Sequence, residues 1–154
     1  MEIQIDNRQE NQPVKPENVR TKAAAILNAL DCPDGELSIV LVGDEEIAAL
    51  NAEYLQRSGP TNVIAFPMQE GEFSEVTPDL IGDVVISLDT CRRESEGAAM
   101  PFEERLDQLL VHGILHLFGY DHVTHAADAE RMAAKAAELM AILENLTASG
   151  EGGA

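Results

Sequence analysis

The chain predicts an α+β fold: a small mixed sheet of about four strands packed around a buried helix, with further helices covering it. Three observations carry this expectation. Short runs rich in Val and Ile alternate with amphipathic helical stripes through the first half of the sequence. The stretch Leu109–Phe118 is apolar except at His112, Gly113 and His116, which marks a helix buried on most sides. After it only a helical pattern follows. With 154 residues, 45% of them hydrophobic, the chain is long enough to bury one core, and a single domain is expected over residues 1–146. Residues 147–154 are mostly small and read as a flexible tail.

In order along the chain, Glu2–Asp6 alternates as a short strand and Arg8–Gln12 is a polar link. Pro16 and Glu17 suit a first helical turn, and Val19, Ala23, Ile26, Leu27 and Leu30 form an apolar stripe behind it. Asp31–Gly35 is a turn before the strand Leu37–Val42. Asp44 is placed to cap the next helix, with Glu45 and Glu46 favourable in its first turn and Ile47, Leu50 and Tyr54 as its buried stripe. Asn62–Phe66 is a strand bracketed by Pro60 and Pro67, which fit a place near a sheet edge. Met68–Asp79 is acidic, rich in turn formers and expected to be a mobile loop. Leu80–Ser87 is the next strand. Asp83 interrupts it, and a turn or edge position explains that residue as well as an active-site duty would. Ser87 or Asp89 starts a helix carrying Arg92 and Arg93. Pro101, Glu103 and Glu104 open the buried helix, and Thr124 caps the last one, whose stripe is Met132, Ala136, Leu139, Met140 and Leu143.

The strongest functional signal is His112-Gly-Ile-Leu-His116-Leu-Phe-Gly119-Tyr-Asp-His122. Four residues make about one helical turn, so His112 and His116 share a face. Gly119 stands where the helix should stop, since glycine accepts the left-handed conformation that turns a chain. The short return then brings His122 toward the other two rings. Burying two imidazoles in an apolar helix costs free energy unless each is bonded or metallated. Three nitrogen ligands with one coordination position left open is the layout of catalytic zinc, one ion per chain. His125 reads as a surface histidine, and Asp121 as a turn residue rather than an orienter of a ligand ring. Long zinc-peptidase motifs share this spacing, but they need a glutamate directly after the first histidine as general base. Gly113 stands there instead. An already anionic phosphodiester can be handled by metal and cations with less dependence on a carboxylate.

The histidine run, with Pro60-Thr61-Asn62-Val-Ile-Ala-Phe66-Pro67, Gly82-Asp83-Val-Val-Ile-Ser87 and Leu50-Asn51-Ala-Glu-Tyr54, resembles the YbeY family of endoribonucleases, or rRNA maturation factors. The resemblance follows the family's order over about residues 37–146. It implies a zinc-dependent, single-strand-specific endoribonuclease acting in rRNA processing, at the 3′ end of the small-subunit 16S RNA, and in ribosome quality control. The implied metal ligands are His112, His116 and His122. The implied partners are single-stranded RNA and the small ribosomal subunit, with no DNA. The family usually carries an arginine directly after the tyrosine of the Asn-x-x-Tyr element, to assist at the scissile phosphate. Leu55 stands there, and the nearest arginine is Arg57. Arg57 is therefore the candidate catalytic cation, and a solvated loop charge is the competing reading.

A net charge of −18 stands against a polyanionic substrate, because neutralising phosphates supplies much of the affinity for nucleic acids. Local positive charge suffices if Arg20, Lys22, Arg57 and the Arg92–Arg93 pair share a face with the zinc. No apolar run approaches the ~18 residues of a membrane span, and the start lacks a basic, apolar signal region. A cytoplasmic monomer is expected, with Cys32 and Cys91 reduced. Two other classes stay open. A zinc peptidase or amidase would take its base from Glu130 or the Met68–Asp79 loop. A non-enzymatic ribosome-assembly factor would hold a structural metal with His125 as fourth ligand.

Overall fold

The computed structural model describes residues 1–68, 79–120 and 126–152. Four strands, β1 (Glu2–Asn7), β2 (Glu36–Val42), β3 (Val63–Pro67) and β4 (Leu80–Ser87), form one sheet in the order β1-β2-β4-β3. β1, β2 and β4 run parallel, and β3 lies antiparallel to β4 at the edge, so the expected small mixed sheet forms. The helices are α1 (Pro16–Ala29), α2 (Asp44–Leu55), α3 (Leu88–Gly97), α4 (Phe102–Leu117) and α5 (Ala126–Gly152). α5 thus continues past residue 146, although Leu146 is the last of its described side chains packed against the core. No helix among the described residues is long and apolar enough to cross a membrane.

Strand alternation divides the sheet into two unequal faces. Ile3, Ile5, Leu37, Ile39, Leu41, Val63, Ala65, Val84 and Ile86 lie on one of them by register. That face carries the main core, closed by Ile26 and Leu27 of α1, Leu110 and Ile114 of α4, and Leu139 and Leu143 of α5. A largely covered ion pair, Lys22 Nζ to Asp107 Oδ1 at 2.8 Å, ties α1 to α4 beside it.

The other face holds a smaller cluster, Val42, Ile64 and Val85 with Ile47 of α2. α2 packs there through Ile47 near its start and has left the core by its last turn. Tyr54, expected in the buried stripe, is 55% exposed and meets Phe66 edge-on, ring centroids 5.5 Å apart. The uncovered part of the face is a groove of about 440 Å³ over Val40 and Val85. Asp83 borders it, mid-strand in an interior strand, opposite Ser38 and Phe66. Neither a turn nor an edge accounts for Asp83; its carboxylate is tolerated because this face stays wet.

Pro67, in contrast, does mark an edge. It pairs with Gly82 at the end of β3, and the next residue continues the pairing, Met68 N–H donating to Ile81 O at 3.0 Å. Gly82 has φ +145°, and a Cβ there would stand 2.3 Å from Phe66 O, so this close crossing requires glycine.

The parallel strands β2 and β4 run directly into α2 and α3, and the two helix starts are cross-tied. Asp89, in the first turn of α3, accepts the Asp44 N–H at 3.0 Å. Asp44 is the first residue of α2 rather than its cap; the cap position is Gly43, where a Cβ would stand 2.9 Å from Asp89 Oδ2. Freed from capping, the Asp44 carboxylate accepts from Ser87 Oγ at 2.7 Å, Thr90 Oγ1 at 2.6 Å and Arg93 Nη1 at 2.6 Å. Ser87 caps α3 as expected, its Oγ accepting the Thr90 N–H at 3.2 Å. Cys32 and Cys91 are both free thiols, and burial pushes Cys91 up to about 12.

Burial alone would raise the Asp44 pKa, but its three donors and the Arg93 charge outweigh that and hold it below the usual carboxylate range. A depressed folded pKa contributes stability that is fully present above the unfolded value, about 3.9, and is lost as pH falls through the folded value. Asp44→Asn is therefore expected to lower stability at neutral pH by about 1–3 kcal/mol, the worth of charge-assisted bonds. Urea midpoints of variant and wild type should converge as pH is lowered below the ordinary carboxylate range.

Candidate active site

α4 reaches the sheet through the residue that follows its first histidine. A Cβ on Gly113 would stand 2.7 Å from Val84 Cγ1 and 3.1 Å from Val63 Cγ2, so glycine lets the helix approach β3 and β4 more closely than any side chain would. With Leu110, Gly113 and Ile114 turned inward, His112 and His116 fall on the flank that meets solvent. Their ring centroids are 4.3 Å apart, with the planes inclined at 52°. Partial desolvation of the ring on its cleft side lowers the pKa of His112, helped by the charges of His116 and Arg105. The ring is thereby held toward the neutral form, the one that ligates metals.

Gly119 ends the helix as its position predicts, with φ +90°. Gly119 N–H donates to His116 O and Tyr120 N–H to Leu115 O, both at 3.1 Å, which is a complete Schellman turn directly after the second histidine. His122, Asp121, Thr124 and His125 lie outside the described residues, as do residues 69–78 of the acidic loop. Among the described residues, no three His, Cys, Asp or Glu side chains converge to hold a metal. What is described of the expected trio is the His112–His116 pair. Two imidazoles from successive turns of one helix are a chemically suitable donor set for zinc.

His112 opens onto a cleft of about 270 Å³ between α4 and α5, with Asn62, Arg105 and Gln108 as its other polar lining and Leu115, Met132 and Met140 among its apolar lining. Met132 therefore does two things, packing on the core as its helical spacing predicts and lining the cleft. Glu130 is exposed on α5 and does not line it.

The expected basic residues are mostly engaged elsewhere. Lys22 is paired with Asp107. Arg20 donates to Ile3 O at 3.1 Å, and Arg93 to Asp44. Arg92 lies 4.2 Å over the Phe102 ring and donates to Gln12 Oε1 at 3.1 Å. Arg57 is exposed in the link after α2 and does not line the cleft. Its loop is pinned from beneath by Asn51, whose carbonyl accepts the Arg57 N–H at 3.2 Å and whose Nδ2 donates to Gly59 O at 2.9 Å. The guanidinium that does line the His112 cleft is Arg105. Spacing alone could have found it, because 105, 108, 112 and 116 follow one another at intervals of three and four along a helix face.

A family profile described as Endoribonuclease YbeY matches residues 4–144. The Endoribonuclease YbeY of Syntrophotalea carbinolica is 52% identical over 140 residues, covering 90% of this chain and 93% of that one. That of Geobacter sulfurreducens is 49% identical over 146 residues, covering 94% and 97%. The solution structure of TM1509 from Thermotoga maritima superposes with a TM-score of 0.70 at 25% identity, over 96% of this chain and 93% of that one.

The contact at Gly113 has a measurable consequence. Alanine is the better helix former by about 1 kcal/mol, but overpacking a fitted interface costs about 1–3 kcal/mol. Gly113→Ala is expected to be destabilising on balance, seen as a lower urea midpoint, and Gly113→Glu to abolish cooperative folding.

Proposed function

The chain belongs to the YbeY family of endoribonucleases, and from that premise we propose that it hydrolyses phosphodiester bonds of single-stranded RNA, using one zinc ion held by His112, His116 and His122. The cellular substrate in this reading is ribosomal RNA, at the 3′ end of the small-subunit RNA and in ribosome quality control, with the chain working as a cytoplasmic monomer.

The observation that carries the reading is the imidazole pair, 4.3 Å between centroids, beside a cleft that offers amides and a guanidinium. Such donors suit phosphate oxygens. Zinc bound there supplies Lewis-acid activation of water and of a phosphoryl oxygen. The protein's own part is to keep His112 neutral, to present both rings from a helix fixed against the sheet, and to place cations where charge develops on the phosphate. Arg57 is the candidate for that last role. The peptidase alternative loses ground on a specific contact: the residue after His112 faces Val84 at a distance that admits no carboxylate.

His116→Ala is expected to lose its equivalent of zinc, measured by elemental analysis after dialysis, and with it cleavage of a single-stranded oligoribonucleotide, while His125→Ala keeps both. Equal zinc content in wild type and His116→Ala would remove the site. Casein, offered in parallel, should remain uncut; casein cleavage with intact RNA would favour the peptidase. Arg57→Ala is expected to keep its fold and zinc and lose about 10²–10³ in turnover, the usual effect of removing one preorganised electrostatic contact. Arg8→Ala, an exposed arginine paired with Asp6 and Glu46, is the charge-matched control. Equal rates in Arg57→Ala and wild type would make Arg57 a loop charge.

A further inference from the structure

The function proposed above counts Arg105 among the donors of the cleft but assigns it no particular phosphate. It stands two turns before His112 on the same stripe of α4, and its side chain is 25% exposed where it lines the cleft. Its Nε and Nη2 donate to Glu94 Oε1 at 3.1 and 3.0 Å, and its Nη1 donates to Gln108 Oε1 at 2.7 Å. Glu94 is held in turn by Asn62, whose Nδ2 lies 3.3 Å from both carboxylate oxygens. A guanidinium has five N–H donors, and among the described residues three of them are engaged, which leaves two.

A cation immobilised by its neighbours but not exhausted by them is ready for a second acceptor without further loss of side-chain freedom. The donors left on Nη1 and Nη2 suit the oxygens of an anion, and a backbone phosphate is the anion an RNA strand offers. The rest of the cleft suits a nucleotide. Met132 and Met140, both partly exposed, give an apolar wall for a base face, and the Asn62 and Gln108 amides stand beside the guanidinium.

We propose that Arg105 is a seat for a backbone phosphate flanking the bond that is cut, so that it positions the RNA strand past His112. The proposal rests on the endoribonuclease reading above. Glu94 tunes the seat, since its carboxylate holds the fork in plane and also competes with the incoming phosphate for its charge.

Affinity for a labelled single-stranded oligoribonucleotide, measured by fluorescence anisotropy from about 50 to about 200 mM salt, tests this. Arg105→Gln is expected to weaken binding on the order of tenfold at low salt and to flatten the log–log salt slope by about 0.7, one phosphate on a single strand. In cleavage it should raise KM with little change in kcat, the signature of a contact made equally in ground and transition states. Glu94→Gln is expected to tighten binding about two- to fivefold, and that gain should vanish when Arg105 is also glutamine. Glu96→Gln, exposed on the same helix, controls for net charge. Urea midpoints keep the comparison to folded protein. If the Arg105–Glu94 pair only ties α3 to α4, both variants lose stability and neither shifts affinity or slope, which overturns the seat. A Glu94→Gln gain that persists without Arg105 overturns it as well. Wild-type chain that neither binds nor cuts the RNA removes the functional reading and the seat together. Wild type that does both, beside an unchanged Arg105→Gln, removes the seat alone.

Discussion

Helix α4 lies as close as it does to β3 and β4 because position 113 has no side chain, and the rest of the molecule is arranged around that approach. Val84 and Val63 occupy the space a Cβ would need. Leu110, Ile114 and Leu115 then sink into the main core, nearly or wholly inaccessible to solvent. Once those rows are fixed, the directions of His112 and His116 are fixed too, since both project from the same rigid backbone. The same contact leaves no room for the glutamate that zinc peptidases keep at this position.

The polar ties form a connected path from the strand ends to the cleft. Asp44 and Asp89 lock α2 and α3 to each other where β2 and β4 finish. α3 passes that constraint on through Glu94, which meets Asn62 at the start of β3 and Arg105 on α4. Each link ends on a carboxylate, and the Asn62–Glu94 contact is the longest of them at 3.3 Å. Much of the positive charge in this strongly acidic chain is paired with its own carboxylates, at the surface as well as beneath it. In the proposed function, local donors at the cleft rather than a broad basic surface meet the substrate.

What was legible in the sequence was local. Strand alternation, the Ser87 cap, the Gly119 stop and the shared face of His112 and His116 depend on residues within a turn or two of each other, and the structure keeps all of them. What was not legible depended on partners far along the chain. Asp44 has the composition of a cap, but its carboxylate is drawn to α3, 43 to 49 residues away. Tyr54 continues a helical stripe correctly, yet by that last turn the helix has left the core and Tyr54 reaches only Phe66 of the edge strand. Asp83 sits mid-strand because one face of the sheet is incompletely covered, which no strand pattern can announce. Arg105 lay in plain view at helical spacing from the histidines, hidden only by the expectation that the cation comes from a loop.

The burial of α4 also has a kinetic meaning. Amide groups exchange with solvent either when a segment opens locally or when the whole fold does, and segments with many buried apolar contacts follow the second route. Ile114 and Leu115, between the two histidines in sequence, are both 0% exposed. Fraying of such a helix is not a separate, inexpensive event. The spacing of the two imidazoles is thus guaranteed by the same free energy that holds the domain folded, and whatever moves to admit or release a bound group must be something other than α4.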